Sequence, residues 1–179
     1  MNIKQFALNM FPYWFLGIFI ILTVLQTKER KLLKIDKNQV FKWFKFLLLV
    51  TIIRIILCKI YSPSYILNSI KKIADLPWEV GLTVFWEDAV HGLPLLIFQK
   101  LIKNIKYNNI LYKIALILVM IEFGLGHLYQ GFFSAFLLSF YVPFSIKIAK
   151  KHGFGTVMLC HMLFDIFSLL FVKYLVTYY

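Results

Sequence analysis

The chain has 179 residues, 61% of them hydrophobic and 18% aromatic, and a formal net charge of +12. A soluble domain of this size rarely exceeds half apolar, and a β-barrel would alternate apolar and polar positions where this chain runs continuously apolar. What remains is an all-α polytopic membrane protein: one helical bundle in a lipid bilayer, with almost no soluble portion.

Six spans are expected in chain order, each near the roughly 20 residues that cross a hydrocarbon core of about 30 Å. They run from Phe6 to Leu25, Phe44 to Ile60, Leu76 to Leu101, Ile110 to Leu128, Phe132 to Ile148 and Phe154 to Tyr178. The basic stretch KERKLLKIDK follows the first span without a small-residue cleavage site, so that span reads as an uncleaved anchor. Residues 1–75 then hold two helices and a basic loop, and residues 76–179 a four-helix core that carries the polar motifs.

The basic residues set the expected topology. Fourteen Lys and Arg follow spans one, three and five, against five on the opposite side. The positive-inside rule places the fourteen in the cytoplasm and both termini outside. The charge is thereby mostly a topology signal; anionic lipid head groups are expected partners, and nucleic acid is not. Arg54, inside the second span, either reaches the interface by its long stem or pairs with an acid in the bundle. His152, beside Lys150 and Lys151, reads as solvated surface. Cys58 and Cys160 lie in apolar runs without metal-ligand spacing and read as small buried hydrophobes.

Seven ionisable groups remain where the helices should be oil: Glu87, Asp88 and His91 in span three, Glu122 and His127 in span four, His161 and Asp165 in span six. A charge at a helix centre costs roughly 2.5 to 3.5 kcal/mol on insertion scales. Glu87 and His91 are four apart and share a helix face, as do His161 and Asp165. Asp88 is turned about 100° from Glu87 and addresses a different neighbour. The three helices are expected to bring these groups into one interior pocket. His127 sits about 10 Å too far out by helical rise, so the turn after it is expected to dip inward and bring it to Glu87. The plain alternative is interhelical hydrogen bonding that only holds the bundle together. A carboxylate in a low-dielectric pocket is a useful general base near neutral pH, and a neighbouring His can orient water, donate a proton or stabilise an oxyanion. Those functions together fit peptide-bond hydrolysis. No Ser-His-Asp order, P-loop, GxGxxG or HExxH is present.

Three motifs carry a family resemblance: EDAVHG from Glu87, FGLGH from Phe123 to His127, and HMLFD from His161 to Asp165. In order and helix placement they resemble the EExxxR, FxxxH and HxxxN motifs of the CPBP intramembrane proteases, the Abi family that includes the type II CAAX prenyl endopeptidases. The resemblance covers the chain from Leu76 onward. It implies that Glu87 is the base activating water, with no cofactor, and that His127 positions that water or shuttles a proton. His161 and Asp165 would line the oxyanion side. The substrate would be a membrane-associated protein, a prenylated tail or a peptide precursor. The chain departs from the family at Asp88, a shorter acid than the second Glu, at Gly92, where the family has Arg, and at Asp165, where Asn is commoner. His91 or Arg54 are the candidates for the missing positive partner. An ionised Asp165 cannot donate to an oxyanion, so it would be protonated or would orient His161. Two other readings stay open. One is a metal-dependent membrane protease in which Glu87, His91, His127, His161 and Asp165 ligate zinc. The other is a non-catalytic immunity or scaffold protein of the same fold.

Overall fold

A computed structural model describes residues 3–61, 77–128 and 131–178. The described residues are helical, with no strand among them. Seven α-helices follow in order: α1 (Ile3–Leu25), α2 (Lys37–Tyr61), α3 (Pro77–Leu101), α4 (Asn108–Gly126), α5 (Phe132–Ser139), α6 (Tyr141–His152) and α7 (Phe154–Tyr178). A short 3-10 helix, Lys28–Leu33, joins α1 to α2. Among the described residues, three stretches are long and apolar enough to cross a membrane: Trp78–Leu101, Asn108–Gly126 and Phe132–His152. By length and composition the chain is a membrane protein.

Two elements differ from expectation, each for a local reason. The second helix starts at Lys37, two turns before the apolar run, because Asp36 caps it: its Oδ1 accepts the Gln39 N–H at 3.4 Å, satisfying one of the orphan donors of a first turn. The fifth span is two helices rather than one. Pro143 has no N–H for the Ser139 carbonyl, and its ring crowds that turn. α5 therefore ends at Ser139 and α6 begins at Tyr141, with Phe140 between them.

α3 and α7 are the central antiparallel pair. A Cβ on Gly92 would overlap the ring of Phe154, and one on Gly81 would overlap Ile166. Gly81, Asp88 and Gly92 fall within about 40° of one another at 100° per residue, so the two glycines that let α7 approach also aim Asp88 at it. α1 packs on α3, where the Trp14 indole N–H donates to the Thr83 hydroxyl at 3.2 Å. α2 packs on α7, with Phe44 edge-on to Phe164 at 6.1 Å.

At one end of the bundle the connections after α1, α3 and α6 gather. Glu29 pairs with Lys100. Asp36 Oδ2 lies 3.3 Å from His152 Nδ1, and its backbone N–H donates to Thr156 Oγ1 at 2.8 Å. Gly153, at φ +91°, sits where any Cβ would overlap the Lys34 carbonyl. His152 is thus not the solvated surface residue its lysine neighbours imply: its side chain is only 12% exposed and faces Asp36, brought from far along the chain. All fourteen basic residues that follow spans one, three and five are exposed.

Candidate active site

The buried carboxylate of Asp88 is the centre of the polar interior. His161 Nδ1 lies 3.1 Å from Asp88 Oδ2, and the Tyr141 hydroxyl donates to the same oxygen at 3.2 Å. A carboxylate only accepts, so the imidazole carries a proton on Nδ1. The other ring nitrogen, Nε2, then faces Asp165 Oδ1 at 4.0 Å. The Tyr141 ring leans on the His161 ring, centroids 4.4 Å apart. Tyr141 is the one site residue that sequence reasoning missed. The available signal was its hydroxyl: it is the only Tyr in the fifth apolar run, and a phenol there needs a hydrogen-bond partner.

Glu87 stands beside this group, half-buried, within electrostatic reach of His161, His91, Asp88 and Asp165. His91 is buried and engaged at both ring nitrogens. Its Nδ1–H donates to the Glu87 carbonyl at 2.8 Å, and its Nε2 lies 2.6 Å from Glu122 Oε2 on α4. The Glu122 side chain is nevertheless 59% exposed. Phe123, next to it, is buried and links the rings. It meets His91 edge-on at 5.5 Å, stacks on His127 at 4.6 Å and on Tyr141 at 5.7 Å. His127 follows the end of α4 at Gly126 and donates from Nδ1 to the Phe123 carbonyl at 2.8 Å. It is tied to the cluster through Phe123.

The structure therefore gathers Glu87, Asp88, His91, Glu122, His161 and Asp165 from α3, α4 and α7, and adds Tyr141 from α6. The inward dip expected after His127 falls on residues 129–130, outside the described residues, as do the side chains of Arg54 and Cys58. Cys160 is buried. At Gly92, where the resembling family has Arg, the Phe154 ring fills the space a side chain would take. Among the described residues, no three or more His, Cys, Asp and Glu side chains form a group that could hold a metal ion. The chain matches no family model, no curated protein and no solved structure.

Proposed function

We propose that this chain is an intramembrane endopeptidase in which Glu87 activates the attacking water. The observation that carries the reading is the Asp88–His161–Tyr141 contact beside Glu87, set between two tightly packed apolar helices. Ionisable groups at such a depth cost several kcal/mol in sum, at roughly 2.5 to 3.5 kcal/mol each. Holding α3 to α7 needs no second carboxylate beside the first.

In the proposed reaction the Glu87 carboxylate takes a proton from water as the water oxygen bonds to the scissile carbonyl carbon. The carbonyl electron pair moves onto its oxygen, and His161, as an imidazolium with Nδ1–H on Asp88, meets the charge with its Nε2–H. Glu87 then returns the proton to the departing amine nitrogen as the C–N bond breaks. Asp88 and Tyr141 are positioning residues, because they fix the imidazole and do not meet substrate. Asp165 lies on the other side of the same ring. His127, joined through Phe123, lies further along the ring chain. The motif resemblance to CPBP proteases supports the same assignment. Six crossings belong to this proposal, since α1, α2 and α7 have 23, 25 and 25 residues, with the basic end in the cytoplasm and both termini outside. The substrate is a membrane-associated protein, a prenylated tail or a peptide precursor.

The test is cleavage of a fluorogenic membrane-inserted reporter peptide in proteoliposomes, with metal content measured on the same sample. Glu87→Gln keeps the shape and removes the proton acceptor, so activity falls by at least about 100-fold, the lower end of what a placed base contributes. His127→Ala approaches that loss if His127 handles the water. Full activity of Glu87→Gln removes the base from the proposal. Loss of activity on chelation, restored by stoichiometric zinc, turns the same side chains into ligands.

A further inference from the structure

Between α3 and α4 runs a cleft of about 330 Å³, lined by Val90, His91, Pro94, Phe98, Val119 and Glu122 among others. That volume is at the small end of ligand pockets. Two of the cleft's lining residues, His91 and Glu122, belong to the candidate site. Glu87, His91, Pro94 and Phe98 are spaced four, three and four residues apart, which keeps them within about 60° on one stripe of α3. Glu87 thus stands one turn beyond His91 on the stripe that faces the cleft.

With His91 engaged at both ring nitrogens, the polar groups the cleft offers are acceptors. Pro94 lies inside α3 and has no N–H, so the Val90 carbonyl loses its place in the helix ladder. Both residues line the cleft. The Glu122 carboxylate is held by His91 yet more than half exposed. An alkyl chain lying here would leave these oxygens dry, at a cost of a few kcal/mol by the usual penalty for unpaired buried polar groups. An unwound peptide has the opposite problem: in a bilayer its N–H groups need acceptors. The rest of the wall, Pro94, Phe98 and Val119, is apolar and suits apolar side chains.

We propose that the α3–α4 cleft binds an unwound apolar peptide segment of the substrate, its backbone N–H groups donating to the Val90 carbonyl and the Glu122 carboxylate. This rests on the peptidase reading above and gives it a substrate-binding surface. A segment seated there is delivered along the α3 stripe to Glu87.

The probe is a ten-residue Leu/Ala peptide carrying one benzoylphenylalanine, compared with the same peptide N-methylated along its backbone. Both present the same apolar side chains; only the first can donate. Binding and photolabelling are measured on the full chain in proteoliposomes, with Glu87→Gln to prevent turnover. The N–H peptide is expected to label α3 or α4 and to bind at least about tenfold tighter than the methylated one, the loss expected for one or two hydrogen bonds. Pro94→Ala gives the Val90 carbonyl its helical partner back. It is expected to raise the thermal midpoint and still weaken the N–H peptide severalfold. Equal binding of the two peptides, or labelling confined to other helices, overturns the proposal. If the wild type cleaves no reporter while N–H-dependent labelling persists, the peptidase reading fails and the cleft stands. If Glu87→Gln is inactive but labelling falls elsewhere, the cleft fails and the base stands.

Discussion

Asp88 accepts from two side chains on two other helices, so a change at either donor acts on the same oxygen. Tyr141→Phe keeps the ring against His161 and removes one donor. It is expected to cost about 1 to 3 kcal/mol, the penalty for a buried polar group that loses a partner, read as a lower thermal midpoint in detergent. Activity should fall less than for Glu87→Gln, because His161 still holds Asp88; an equal loss would place the Tyr141 hydroxyl in the chemistry itself. Gly92 makes a separate prediction. Gly92→Ala drives a methyl into Phe154 and should destabilise by about 1 to 3 kcal/mol, the range for overpacking a core. Gly92→Ala with Phe154→Leu should recover part of that, and failure to recover would remove Phe154 as the cause. At this scale the acids and histidines were legible, because a charge in an apolar run is conspicuous and its helical angle can be computed. The 100° offset between Glu87 and Asp88 did not separate their neighbours fully, since His161 contacts Asp88 and is also within electrostatic reach of Glu87. Tyr141 was not legible in the same way, since an uncharged hydroxyl does not interrupt an apolar run. Nor was His152, whose partner Asp36 lies far off in sequence and was hidden by adjacent lysines.

Helices were legible for the reason residues were: long apolar runs cannot be anything else in a bilayer. The limits of the runs were not the limits of the helices. α2 gains two turns from the Asp36 cap, a local hydrogen bond that hydropathy does not register. The fifth run conceals the break at Phe140, because its apolar content continues through both halves while Pro143 removes a single backbone bond. That break has a consequence for the site, since Tyr141 is the first residue after it. Pro143→Ala supplies the missing N–H to the Ser139 carbonyl and should fuse α5 and α6. Relief of an interior proline stabilises a helix by up to about 3 kcal/mol, so the thermal midpoint should rise. Activity should fall at the same time, because a straightened backbone rotates Tyr141 away from Asp88. A variant that gains stability and keeps full activity would show that the break does not position the tyrosine.

For the whole molecule, the packing of the connections adds a constraint that counting charges does not contain. Charge counting assigns the loops after spans one, three and five to one side of the membrane, but each loop is counted by itself. The contacts Glu29–Lys100 and Asp36–His152 tie these three connections together physically. They must therefore share a side, whichever side it is. Single cysteines at Lys34, Lys103 and Lys151, each exposed, can be placed in a chain whose Cys58 and Cys160 have been replaced. In intact cells all three should be protected from an impermeant thiol reagent, and all three should react once the membrane is opened. Uniform labelling from outside would invert the orientation and leave the bundle intact, with the basic end facing out against the charge rule. Labelling of one position but not the other two would break the bundle itself, because no rigid arrangement can hold Glu29 on Lys100 and Asp36 on His152 with a bilayer between them.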